Sequence, residues 1–257
     1  MQYGICVANI GSYSDPSEAV RIAVAAERAG WEAVLVWDHL AFVWGSAAAD
    51  PWVTLAAIAT STSRVRIGTA VTPVARRRPH VLAQTVATLD VLSGGRVIFG
   101  AGLGGSSSEF GKFGEPTDAK TRAAMLDEGL GLLRRLWSGE EVTHRGDHYT
   151  VDGVTLAPRP LQEHLPIWIG GNKPAARRRA ARWDGWIPDS TYPPGAGVSP
   201  RDIVQGLTLD VAVIGDSSRS DPRAFERAGA TWWLETVHDR RGAPDQMLQL
   251  VSAGPPC

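Results

Sequence analysis

Apolar runs of strand length alternate with helical patterns along the whole chain. The first strand is expected over Tyr3 to Asn9, followed by a helix from Pro16 to Ala29 with Asp15 as N-cap and Gly30 just past its end. Further strands are expected at 33–37, 65–71, 96–101, 166–169, 185–188, 211–214 and 231–236, with helices at 51–62, 79–92, 120–137, 174–183, 222–228 and 244–251. On the longest helix the face is read as Ala124, Leu130, Leu133 and Trp137. Residues 141–155 alternate and turn, and read as an inserted hairpin; 190–199 read as a Pro/Gly-rich loop. Near-continuous apolar strands between amphipathic helices imply a covered parallel sheet. Eight such units in a chain of 257 residues is the size of an α/β (β/α)8 TIM barrel, here one domain over 1–257 with a shortened second half and a small hairpin insertion. An open doubly wound sheet is the alternative.

Composition narrows the classes. Hydrophobic residues make up 44% and charged residues 21%, with a formal net charge of -1. Nothing in that balance asks for a nucleic-acid or membrane partner. No basic segment followed by an apolar stretch opens the chain, and the two cysteines, Cys6 and Cys257, do not suggest a disulfide framework, so a cytoplasmic location is expected. Only three of the 26 basic residues are lysines, which disfavours Schiff-base chemistry.

In a barrel the chemistry sits at the C-terminal ends of the strands. Those ends carry Asn9, Asp38-His39, Thr72-Pro73, Gly102 to Gly105, Gly170-Gly171-Asn172, Asp189, Asp216-Ser217 and Glu235 to His238. The set is rich in glycine and small polar groups and poor in nucleophiles. The first strand has no His-x-His, so no metal is expected. Ser106 to Ser108 read as a flexible loop. Gly100 to Gly104 resembles a dinucleotide fingerprint but departs from its spacing and place in the fold. His144 and His148 read as hairpin surface, and the runs Arg76 to Arg78 and Arg177 to Arg179 as solvated faces, the first with the alternative of reaching an acidic ligand or a partner subunit. Trp31, Trp137, Trp183, Trp186 and Trp232 fit helix–sheet packing, while Trp37 and Trp44 flank Asp38-His39.

Seven stretches in order carry a resemblance. They are Ala29 to Ala33 leading to Val36-Trp37-Asp38-His39; Val65 to Pro73; Leu89 to Val97 running into Gly100 to Gly104; Phe110 to Gly114; Arg122 to Glu128 with Trp137-Ser138-Gly139; Pro158 to Gln162 with Pro166 to Gly171; and Ala180 to Trp186. Together they resemble the bacterial luciferase-like superfamily of flavin- and F420-dependent oxidoreductases, with good coverage to about residue 190. The resemblance implies a TIM barrel that binds FMN, or alternatively F420, for hydride transfer or monooxygenation of a small organic substrate; the other reading is a flavin-binding protein without turnover.

It implies catalytic roles for Asp38 and His39 beside the ring. Ala70 and Val71 would form a bulge under the ring, often through a non-proline cis peptide, and Thr72 would hydrogen-bond the cofactor. Gly102 and Gly104 would leave room at the ribityl chain, Gly170, Gly171 and Asn172 would lie near the phosphate, and Trp44 would cover the cofactor. A homodimer, and a flavin reductase supplying reduced FMN, are implied partners. Sugar-phosphate dehydrogenases of the superfamily carry a glutamate where Gly105 stands; the nearest acid here is Glu109. That difference favours FMN.

Overall fold

The computed structural model describes residues 1–191, 197–203 and 206–256. Cys257 and part of the loop expected at 190–199 lie outside the described residues.

Helix starts follow from local chemistry. Helices α1 (Pro16–Arg28), α2 (Pro51–Ser61), α3 (Pro79–Ser93), α6 (Pro174–Ala180), α7 (Pro222–Ala228) and α8 (Pro244–Ser252) all open on proline, whose fixed φ and missing N–H suit a first turn. Asp15, Asp50 and Asp221 cap three of them by accepting amide hydrogens from Ser17, Trp52 and Arg223, respectively. A one-turn α4 (Ser108–Gly111) and the long α5 (Ala119–Leu136) lie between α3 and α6.

The strands are β1 (Gln2–Val7), β2 (Ala33–Val36), β3 (Arg66–Thr69), the short β4 (Thr72–Pro73), β5 (Val97–Gly102), β8 (Ile167–Gly170), β9 (Gly185–Ile187), β10 (Asp210–Gly215) and β11 (Trp232–Val237). They pair in parallel in the order β3-β2-β1-β11-β10-β9-β8-β5, and β3 pairs with β5 to close the ring. Closure removes the open-sheet alternative. Gly68 and Gly100 explain how β3 and β5 meet: a Cβ at Gly68 would fall on the Ile98 carbonyl, and one at Gly100 on the Thr69 carbonyl.

Two apolar layers follow from the alternation of side chains. Residues such as Val34, Phe99, Ile167 and Trp233 face the helices, while Cys6, Leu35, Ile98, Trp168, Ile187 and Trp232 fill the barrel. Trp232 therefore packs inside the barrel rather than between helix and sheet. Its ring meets Trp168 edge-on at 5.5 Å near the N-terminal ends of the strands, and a Cβ at Gly185 would strike Trp168. These indoles make a floor. Burial in this interior pushes the Cys6 thiol up to about 12, so it is held as an inert hydrophobe.

The insertion is the antiparallel hairpin β6 (Val142–Arg145) and β7 (Thr150–Val154). It is tied to α5 through Glu128, which meets His144 Nε2 at 2.9 Å and accepts the His148 and Tyr149 amides. His144 is thus an anchor rather than free surface. On α5 the buried face is Leu126, Leu130, Leu133 and Leu136, with Trp137 buried just past its end; Leu130, Leu133 and Trp137 are as expected, but Ala124 is exposed, because a position six residues before Leu130 lies about 120° round the helix from it. Arg179 is also buried, paired with Asp127 at 2.8 Å. Among the described residues no helix is long and apolar enough to cross a membrane.

Candidate active site

β2 ends at Val36 and delivers Trp37, Asp38 and His39 to the C-terminal rim. β4 and the 3-10 turn after it, Val74–Arg76, bring Arg76 to the same place. The loop after β5 brings Glu109 there on the single turn α4. Asp38 and Glu109 are almost wholly buried, at 1% and 2% exposure. Two buried carboxylates need cations, and Arg76 answers both: it donates to Asp38 Oδ1 and to Glu109 Oε2, each at 2.6 Å, and to the Asp38 carbonyl at 2.7 Å. Arg77 adds a bond to Asp38 Oδ1 at 2.8 Å. The expectation of a solvated arginine face fails for Arg76, which is 8% exposed. A tertiary approach between residues far apart in sequence buries it.

Glu109 has a second set of donors. The amides of Leu40 and Ala41 reach Oε1 at 3.1 and 3.0 Å, and His39 Nδ1 lies 3.1 Å from Oε2. Burial alone would raise this carboxyl; the hydrogen bond and charge of His39, the Ala41 amide and the Arg76 guanidinium outweigh it and hold Glu109 at about 2. The His39 ring sits between Trp37, at 5.6 Å edge-on, and Trp44, at 4.8 Å. Trp44 itself is half exposed.

A second part of the rim is built on Val71, just after β3, the neighbour of β2. The Ala70–Val71 peptide is cis. A Cβ at Gly102 would lie 2.5 Å from Val71 Cγ2, and one at Gly170 would lie 2.7 Å from Val71 Cγ1. Both glycines thus make room for the valine, which becomes an apolar ledge over the strand ends. Gly104, at φ +82°, cannot easily be replaced, and a Cβ there would meet Phe110 at 2.8 Å. Arg122 stacks on Phe110 at 4.5 Å and binds the carbonyls of Leu103 and Gly104, which fixes the glycine loop. Ser108 belongs to α4 and not to a loop without structure, because Glu109 and Phe110 anchor that turn in the core.

The remaining expected residues are nearby but already engaged. Thr72 is fully buried and bonds Thr69 Oγ1 at 3.2 Å. The Gly171 amide donates to the Ile187 carbonyl at 3.1 Å. The Asn172 side chain exchanges two bonds with the Asp189 backbone. Asp38, His39 and Trp44 form one cluster, and Ala70, Val71, Gly102 and Gly170 form a second. Arg76 and Glu109, the two groups that bind the first cluster together, were not expected from the sequence. A cation run directly after a strand end, and a lone acid in a glycine-rich loop after another, were the available signals.

The arrangement suits a flat heteroaromatic ligand with hydrogen-bonding edges. The buried Asp38 Oδ2 and Asn9 Oδ1 accept no hydrogen bond among the described residues, so the rim keeps unused acceptors for a donor-bearing ring. The Val71 ledge offers an apolar face for it.

The model of the family described as luciferase-like monooxygenase matches residues 1–203. The chain belongs to the luciferase-like monooxygenase family. This luciferase-like chain is 41% identical over 186 residues to an F420-dependent glucose-6-phosphate dehydrogenase of Nakamurella multipartita, covering 70% of the chain and 54% of the relative. An enzyme of the same description from Microbacterium testaceum is 40% identical, with the same shares covered. The chain thus spans about half the length of these curated relatives. Among solved structures, an F420-dependent secondary alcohol dehydrogenase in complex with an F420-acetone adduct superposes with a TM-score of 0.80 at 20% identity, covering 99% of both chains. The F420-dependent tetrahydromethanopterin reductase of Methanopyrus kandleri gives 0.76 at 17% identity, covering 98% of this chain and 97% of that one. These two likenesses establish the barrel.

Proposed function

We propose that this luciferase-like chain is an oxidoreductase that uses F420 to move a hydride to or from a small organic substrate, with His39 handling the accompanying proton. The observation that carries the reading is His39 itself: an imidazole whose side chain is 21% exposed at the strand ends, backed through Nδ1 by a buried carboxylate. The F420-dependent relatives move the preference from FMN to F420.

Bound F420 would supply the two-electron hydride chemistry. The protein's part is positional. Val71 and Trp37 would support the ring, Asp38 Oδ2 and Asn9 Oδ1 would take hydrogen bonds from it, and Trp44 would shield it from water. His39 Nε2 has no hydrogen-bond partner among the described residues and would take the hydroxyl proton of an alcohol being oxidised, or return it in reduction. Leu40, Phe42, Trp44 and Phe113 are exposed apolar groups on the loops around this rim. They support an alcohol or carbonyl substrate with an apolar body. Gly105 supplies no acid beside His39, although a side chain there would have space, since its Cβ would lie 3.8 Å from His39 Cε1. A homodimer belongs to the same proposal, supported by the exposed Val53 of α2 and Val81 of α3 on neighbouring helices.

The test is parallel titration of the purified chain with F420 and FMN, followed by absorbance and fluorescence, then turnover with alcohols, carbonyls and glucose 6-phosphate. Binding of F420 below about 100 μM, roughly 5.5 kcal/mol, with substrate-dependent bleaching supports the reading. Binding of FMN alone would redirect it to monooxygenation, for which a reductase would have to supply reduced FMN. Binding with no turnover on any substrate would make the chain a cofactor-binding protein.

A further inference from the structure

The hydrogen-bond inventory around Glu109 determines more than charge balance. Oε1 receives two backbone N–H groups, from Leu40 and Ala41. Oε2 receives the Arg76 guanidinium at 2.6 Å. Amide and guanidinium hydrogens can only be donated, so the carboxylate is an acceptor on every side. A proton on Glu109 would have to displace one of these donors, and the low value of its carboxyl agrees with its staying ionised. The fourth neighbour, His39 Nδ1, meets both oxygens at 3.1 and 3.2 Å. It can approach an ionised carboxylate only with its hydrogen in place.

The geometry points to Glu109 as a positioning residue that sets the tautomer of His39, keeping the hydrogen of the neutral ring on Nδ1 and leaving Nε2 as a bare acceptor toward the site. Arg76 and the two amides hold the carboxylate so that it cannot turn away, and Trp37 and Trp44 flank the ring against the half-turn that would put Cδ2 in the place of Nδ1. The consequence is directional: when the ring is neutral, the Nε2 lone pair is ready to remove a hydroxyl proton, which sets the site for the oxidation of an alcohol. This deepens the proposed function and rests on it for its chemical meaning. The tautomer itself can be read without cofactor or substrate.

The experiment is a long-range proton–nitrogen correlation spectrum of the histidine side chains in the uniformly nitrogen-15-labelled chain. It is recorded without cofactor at alkaline pH where imidazoles are neutral, with His39→Gln to assign the ring among the six histidines. The expected result is Nδ1–H for His39. In Glu109→Gln the side-chain oxygen stays with the Leu40 and Ala41 amides and the NH2 takes the place of Oε2, losing the Arg76 bond and facing the ring, so the tautomer should invert to Nε2–H. F420-linked alcohol turnover should then fall by about 10³ to 10⁴-fold, the scale seen when an analogous amide reverses a catalytic histidine, with F420 affinity changed less than threefold. An Nε2–H ring in the unsubstituted chain overturns the inference, whether or not the variant folds. An unchanged Nδ1–H ring in a folded Glu109→Gln overturns it as well. If the chain shows Nδ1–H but binds no F420, this inference stands and the functional proposal falls.

Discussion

Replacing Glu109 by glutamine should also weaken the fold, by an amount that depends on pH in a defined way. The carboxyl is held at about 2 in the folded chain against an ordinary 4.5. At about 1.4 kcal/mol per pH unit, that difference is worth about 3 kcal/mol of stability at pH 7. Because the folded value is depressed, the contribution is complete above pH 4.5 and is lost as pH falls through 2. At pH 3 about 1.5 kcal/mol of it should remain. Glutamine resembles the protonated acid and has no such contribution at any pH. Urea unfolding followed by tryptophan fluorescence, with ten indoles as reporters, should therefore show the variant's midpoint lower by about 1 M at pH 7, given a slope of about 3 kcal/mol per M for a chain of this size. The gap between the two chains should halve at pH 3. A loss under about 1 kcal/mol at pH 7, or a gap that does not change with pH, would refute the electrostatic account of this cluster.

Gly102→Ala should cost about 1–3 kcal/mol through its clash with Val71, and Val71→Ala in the same chain should recover most of it; simple additivity in a double-mutant cycle would show that the two do not touch. Trp44→Ala, at a position half exposed, should change stability by no more than about 0.5 kcal/mol yet weaken F420 binding; unaltered titration and turnover would remove Trp44 from the site. Asp90 is fully buried and accepts from the Gln162 amide and side chain at 2.9 and 2.7 Å. Its replacement by alanine leaves those donors unpaired, at about 1–3 kcal/mol, and amide exchange should speed up around 157–165 before it does in the barrel strands.

The fold was legible because its signals are local. An aspartate before a proline marks a helix start by capping chemistry wherever it occurs, as at Asp15, Asp50 and Asp221. An apolar run flanked by amphipathic helices marks a parallel strand. The site was legible only in part, because its decisive contacts are tertiary. Asp38 and His39 are visible as polar residues at a strand end. Arg76 reads as part of a solvated run because nothing within its own neighbourhood says that two carboxylates will arrive from 33 and 38 residues away. The glycines show the same limit. A missing Cβ shows that something comes close but not what: at Gly102 and Gly170 it is Val71, and at Gly104 it is Phe110. Ser108 reads as part of a flexible loop because the single turn 108–111 has no periodicity to detect; burial of Glu109 and Phe110 creates it.

The crossed indoles of Trp168 and Trp232 divide the molecule's evolutionary risk. Packing against them is so close that Gly185 cannot take even a methyl group without striking Trp168, and change there threatens the whole chain. Above them the rim is assembled from loops whose lengths and residues can drift while the lower half keeps the protein folded. A lineage carrying this barrel can therefore try new substrates one loop at a time, and a laboratory library confined to the residues above the indoles should retain a larger folded fraction than one spread evenly over the sequence.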